Sequence, residues 1–281
     1  MTEQVDPHQR SKDETINIAL IHHHVNSNTP SGVKIRQAFP FVPMFDSTVK
    51  SGANRSIHHD LQIQIPESGS NLLKTVEFKG SQYFKPIDNS KPPWFNGVQF
   101  YNGTGSKLSI GHKYARDFYD IALDEIIQGL NIQTPKPTYE VWVKDAFRQG
   151  RPSTPFVCEI REKGYGGEFL SNCRKKFNKQ FTVGDKDLLL LMREVQQLVN
   201  ESLGCKDYWL QIHGDIDNPE SFHVKWSEKI SPSEIQQVIK IKSKNDCDIN
   251  FKFVCDDGME FYAKLRWGYG QCITNIRVDI K

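Results

Sequence analysis

The residues in this chain whose types and spacing suit chemistry are two acids and a lysine. Asp60, Glu77 and Lys79 stand in the segments HHDLQIQ and LLKTVEFKGS, with sixteen residues between Asp60 and Glu77. Carboxylates are hard oxygen donors, and Mg²⁺ keeps several of its waters, so one or two carboxylates are enough to hold it. Glu77 and Lys79 are two positions apart, so on a strand both emerge from one face. Asp60, on a paired strand, can bring its carboxylate to the same ion. A lysine beside that ion can orient an attacking water and stabilise developing negative charge. The chemistry implied is metal-assisted hydrolysis, with Mg²⁺ as the cofactor and Mn²⁺ able to substitute. The same residues also fit a plainer pattern, a solvated edge strand whose Glu and Lys face water.

Such a site needs strands to carry it. Residues 57–65, IHHDLQIQI, alternate apolar and polar, which predicts a strand. Pro66 to Asn71 reads as a turn, and Leu72 to Phe78 as a second strand that Gly80 ends, so the two runs form a hairpin. A helix is expected over Ser11–Val25, followed by a turn-rich break to Gly32. Downstream, Gly111–Leu130 predicts a helix with Ala115, Phe118, Ile121, Ala122, Ile126 and Ile127 on one face. Pro135 and Pro137 block its continuation, and YEVWVK (139–144) reads as a further strand. Gly184–Leu203 is the clearest helix, stopped by Gly204. After Cys205 short strand-like runs dominate, with Asp256-Asp257-Gly258 as a hairpin turn. The expected boundary lies near Gly204: residues 1–204 a core with a helical extension, residues 205–281 a β-rich region, or the two one continuous domain.

Taken together, an acid at the start of one strand followed by acid-x-Lys on its neighbour resembles the PD-(D/E)XK nuclease superfamily. The three matching positions are Asp60, Glu77 and Lys79, and the element order is similar over roughly residues 11–145. His59 stands where the family's pattern has proline. The resemblance implies an α/β fold with a mixed sheet flanked by helices, here with a β-rich C-terminal portion. It implies a metal-dependent endonuclease cutting DNA, of the type II restriction kind. It further implies the backbone carbonyl of Phe78 as a metal ligand, and Glu14, on the preceding helix, as an acid near the site. His59 is a possible helper near the metal, and Gln99 a residue behind the metal or against a base.

The chain's 281 residues carry 36 basic and 34 acidic side chains, a net charge of +2, so any nucleic-acid surface must be local. One local excess exists: Lys74 to Arg116 holds seven basic residues against Glu77 and Asp88, interleaved with aromatic rings. Lys85, Asn102, Lys107, Lys113 and Arg116 are its candidate DNA contacts. Asn102-Gly103-Thr104-Gly105 is expected to offer backbone amides to a phosphate. An aromatic mini-core with a polar loop is the alternative. Arg174, Lys175 and Lys176 form a second basic cluster, either tracking a phosphate backbone or lying on a solvated helix face.

Other classes fit less well. Residues 22–24 and 58–59 are histidines, which invites a His-ligated metalloenzyme, but adjacent residues point in different directions. No HExxH, P-loop or dinucleotide-loop pattern occurs. The six cysteines form no CxxC pair and read as reduced thiols. No apolar run nears the roughly 20 residues of a membrane span, and Met1–Lys12 lacks a signal-peptide core. The expected compartment is the cytoplasm, or the nucleus in a eukaryote. Double-strand cutting at a symmetric site suits a homodimer. The main alternative is a non-catalytic nucleic-acid-binding protein of the same fold, and a structural or interaction protein is a further one.

Overall fold

A computed structural model of the chain describes residues 16, 18–39, 44–45, 60–67, 70–80, 101–148, 152–204, 206–215, 217–218, 220–221, 223–228, 233–243, 246–268, 273 and 275–280. Together they form a mixed α/β fold of eight helices and two sheets. The chain divides into two compact units, each discontinuous in sequence: Met1–Val98 with Glu201–Ser231, and Gln99–Asn200 with Pro232–Lys281. The boundary expected near Gly204 is corrected accordingly. Strands on both sides of the long helical stretch pair with each other, and such pairing leaves no mark in local composition.

The first unit holds α1 (helical at 16 and 18–25), α2 (Pro30–Gln37), β1 (Met44–Phe45), β2 (Leu61–Glu67), β3 (Ser70–Gly80), β5 (Tyr208–His213) and β6 (His223–Glu228). Its sheet has the order β1-β2-β3-β5-β6, mixed because β3 and β5 run parallel. The expected hairpin is present, with Leu61 opposite Val76 and Ile65 opposite Leu72. Its strands reach further than expected, since Pro66 pairs with Asn71 and Glu67 with Ser70. The apolar positions of the alternation, Leu61, Ile63, Ile65, Val76, Phe78, Leu210 and Ile212, form one buried face with Ile21, Val25, Ile35 and Phe39 of the helical hairpin. The break between α1 and α2 is tight: a Cβ at Gly32 would lie 1.8 Å from the His24 carbonyl oxygen. Thr29 caps α2 by accepting the Gly32 N–H at 3.1 Å, with Pro30 supplying the first helical position.

The second unit holds β4 (Tyr101–Thr104), a 3₁₀ turn (Gly105–Lys107), α3 (Ser109–Ile121), α4 (Leu123–Gly129), α5 (Tyr139–Ala146), α6 (Pro155–Gly164), α7 (Glu168–Gln180) and most of α8 (Asp185–Gly204). It also holds β7 (Ile235–Ile241), β8 (Ile249–Cys255), β9 (Glu260–Trp267) and β10 (Ile276–Ile280), in an antiparallel sheet of order β4-β10-β9-β8-β7. Two expectations change here. The helix expected over 111–130 is two helices broken at Ala122. The strand expected at 139–144 is helix α5, because Trp142 and Ala146, four apart, are both fully buried. The valines favour a strand locally, and tertiary burial overrides that preference.

Asp145 ties α5 to the following segment. Its carboxylate accepts the Ser153 and Thr154 N–H groups at 3.0 and 2.8 Å, and both hydroxyls as well. Burial alone would raise its pKa, but the hydrogen bonds from Thr154 and Ser153 outweigh it and hold the carboxyl below its ordinary value. Because the folded value is depressed, this stabilisation is complete above the unfolded carboxylate range. It is lost as pH falls through the folded value. Asp145→Ala is expected to cost about 1–3 kcal/mol by removing the shared acceptor of the Ser153 and Thr154 donors, read as a lowered denaturation midpoint at neutral pH. At acid pH the gap from wild type narrows.

Candidate active site

The chain bends at Asp60, one residue before β2. The Asp60 N–H donates to the Val76 carbonyl at 2.9 Å. The Asp60 carboxylate, reaching back across β3, accepts the Phe78 N–H at 2.8 Å through Oδ2. The N–H and C=O of one strand residue point toward the same neighbour. The Phe78 carbonyl therefore turns toward the edge where Asp60 lies. Val76 and Phe78 belong to the packed core, so Glu77 alternates to the opposite face of the sheet. Lys79 follows two positions later, at the register position beside Gln211. Both acids are buried, Asp60 7% and Glu77 8% exposed.

The parallel partner strand completes the surroundings. Asp207 clamps β5 to β3: its N–H donates to the Thr75 carbonyl at 2.9 Å, and its Oδ2 accepts the Thr75 N–H and hydroxyl, each at 2.9 Å. That clamp sets Glu77 beside Trp209 and Lys79 beside Gln211. It also brings in Lys206, whose ammonium lies 3.1 Å from Glu77 Oε2 and 5.3 Å from the centre of the Trp209 ring. Lys206 is only 6% exposed. Further along the same face, buried His213 pairs in register with His223 of β6. Burial, and secondarily the charge of His223, hold the His213 pKa below the ordinary histidine value. Trp209 and Gln211 are buried on this face too. The polar face thus carries Glu77, Lys206, Trp209, Gln211 and His213 close to the acid-x-Lys run. None of the last four is singled out by sequence. Lys206 in particular reads as an ordinary surface lysine until the parallel pairing places it.

The predicted residues separate as follows. Asp60, Glu77, Phe78 and Lys79 come together at the end of one hairpin. Glu14, His59, Lys85 and Gln99 lie outside the described residues. The expected DNA contacts that are described, Asn102, Lys107, Lys113, Arg116, Arg174, Lys175 and Lys176, all belong to the second unit. The phosphate cradle expected at 102–105 is corrected: residues 102–104 are β4, whose partner is β10, with Asn102 opposite Asp279. Lys107 is exposed in the 3₁₀ turn. Lys113 sits 3.4 Å from Asp117 and 3.9 Å from Asp187. Arg116 stacks over the Tyr139 ring at 3.5 Å. Lys176 pairs with Glu125 at 2.8 Å, and Lys175 is half-buried. Surface pairs such as Lys176–Glu125 are worth little to stability. Arg174 is corrected: it is buried in α7 and has no open surface from which to track a phosphate backbone.

The chain matches no protein-family model and no curated protein. Among the described residues, no three or more His, Cys, Asp or Glu side chains group to hold a metal ion. His22 contacts Asn26 and His24 contacts Thr29, each at 3.0 Å, so these two histidines serve the end of α1. Asp60 and Glu77 offer carboxylates and Phe78 a carbonyl, a set of hard oxygen donors whose chemistry fits Mg²⁺ with its remaining positions filled by water. Among the described residues no helix is long and apolar enough to cross a membrane.

Proposed function

We infer that this chain is a Mg²⁺-dependent endonuclease that hydrolyses DNA phosphodiester bonds, in the manner of a type II restriction enzyme. The observation that carries the assignment is the 2.8 Å hydrogen bond from the Phe78 N–H to Asp60, which ties the first acid to the strand of Glu77 and Lys79. Asp60, Glu77 and the Phe78 carbonyl hold the cation, and Mn²⁺ substitutes for it. When bound, the ion supplies charge stabilisation at the phosphate and lowers the pKa of a bound water. Lys79 orients the attacking water and offsets negative charge growing on the phosphate oxygens. Lys107, Lys113 and Arg116 contribute phosphate contacts. The protein works in the cytoplasm, and cutting both strands of a symmetric site makes it a homodimer.

One observation favours a second reading. Glu77 Oε2 is already engaged by the buried Lys206 ammonium at 3.1 Å, which suits a nucleic-acid-binding protein of this fold without turnover. Incubation with supercoiled plasmid separates the two. The nuclease gives linear or discrete fragments with Mg²⁺ and none with EDTA, whereas retention of DNA without any Mg²⁺-dependent cutting selects the binding protein.

A further inference from the structure

We propose that Lys206 is a positioning residue of the Asp60–Glu77 site: its ammonium holds Glu77 Oε2 in place and lowers the site's affinity for a divalent cation, so that the cation is held firmly only when a substrate phosphate shares it. This rests on the assignment of Asp60 and Glu77 as metal ligands.

Three observations lead there. First, lysine is almost never buried unless paired, and here the residue is 6% exposed with its ammonium 3.1 Å from Glu77 Oε2. Second, the ammonium cannot easily swing away. The next residue, Asp207, is fixed to Thr75 by backbone and side chain, and the Trp209 ring lies 5.3 Å from the ammonium. Third, Trp209 stands beside Glu77 in the strand register, so the cation, the ring and the carboxylate form one buried group.

The electrostatic consequence follows from charge alone. A fixed positive charge a few ångströms from a bound divalent ion weakens its binding by at least about tenfold even with water-like screening, and by more in a buried site. A phosphodiester brings a negative charge that both cations attract. Lys206 thus opposes metal binding in the free protein, and the cation–phosphate attraction offsets that repulsion in the complex. The arrangement couples metal retention to substrate.

The test is Mn²⁺ binding to the intact protein, measured calorimetrically without and then with phosphorothioate DNA that resists hydrolysis. Lys206→Gln keeps a donor for Glu77 but removes the charge, and Lys206→Met fills the same space if the amide variant does not fold. Mn²⁺ is expected to bind Lys206→Gln about tenfold more tightly than wild type without DNA. DNA should tighten Mn²⁺ binding by wild type at least about tenfold, and Lys206→Gln should bind Mn²⁺ more tightly than wild type with DNA as well as without it. The wild-type DNA effect needs no variant. The proposal is overturned if Glu77→Gln loses Mn²⁺ binding while Lys206→Gln keeps the wild-type affinity, or if DNA leaves the wild-type affinity unchanged. In those cases the metal site stands and Lys206 is only a structural partner. If wild type binds no Mn²⁺ even with DNA present, or if Glu77→Gln and Asp60→Asn both bind it like wild type, the metal assignment itself fails and the proposal falls with it.

Discussion

Glu77→Gln is expected to reduce Mg²⁺-dependent DNA cleavage by at least about 10³-fold, corresponding to the loss of about 4 kcal/mol of transition-state stabilisation. The magnitude follows from the proposed role of the carboxylate as a metal ligand: without its charge the cation would be poorly held, and the growing charge on the phosphate left uncompensated. Gln is the informative replacement because of Lys206. Glu77→Ala would leave a buried ammonium without its partner, at a cost of about 3–5 kcal/mol in stability, and lost activity could then mean lost fold. The amide still offers an oxygen to the ammonium 3.1 Å away. Thermal melting of Glu77→Gln should therefore stay cooperative, and its DNA retention in EDTA should match wild type. Single-turnover cleavage at saturating protein is the measurement, since it separates the chemical step from product release.

Lys79→Met is expected to act differently. Removing a cation that stabilises developing negative charge costs about 10²–10³-fold in the cleavage step. Mn²⁺ affinity should not fall, because no ligand is removed, and the Mg²⁺ concentration giving half-maximal rate should not rise. Strand β3 has Lys79 beside Gln211, two positions beyond Glu77. The two variants thus separate holding the cation from using it: Glu77→Gln loses both binding and rate, Lys79→Met loses rate alone. If Lys79→Met cleaves at the wild-type rate, Lys79 has no part in the chemistry, and Lys206 is then the lysine nearest the acids.

The hairpin that carries the acids was legible in the sequence because its strands are half-buried. Leu61, Ile63 and Ile65 face the core, while Gln62 and Gln64 between them are only half-buried, and alternation of this kind is a local signal. The proximity of Asp60 to the Glu77–Lys79 run was legible for the same reason, since a short turn fixes the register of the two strands. The partner of β3 on its other edge was not. β5 lies far along the chain, and its apolar run gives no indication of which strand it pairs with, so Lys206, Trp209 and Gln211 could not be brought to Glu77 by spacing. The same parallel pairing defeated the boundary at Gly204. Helix α5 was missed because Tyr139, Val141 and Val143 satisfy a strand pattern as well as Trp142 and Ala146 satisfy a helical one. Arg174 was misassigned because a basic run on a helix reads as one surface, whereas the helical repeat turns one member of the run inward.

The site is built from side chains that the fold has already oriented. Asp60 is fixed by the backbone of the strand it serves, and Glu77 by a lysine anchored through the Asp207 clamp. In the proposed reaction such fixation would limit reorganisation as charge develops, the main source of electrostatic catalysis.

Cleavage of supercoiled plasmid by the purified protein, with Mg²⁺ or EDTA and with Asp60→Asn and Glu77→Gln compared to wild type at equal folded concentration, tests the central claim most directly. The expected result is Mg²⁺-dependent linear or discrete fragments from wild type and intact plasmid from both variants. Cutting that persists in both folded variants, or a wild type that cuts no DNA with Mg²⁺ or Mn²⁺, would contradict the assignment of Asp60 and Glu77 as the catalytic metal site.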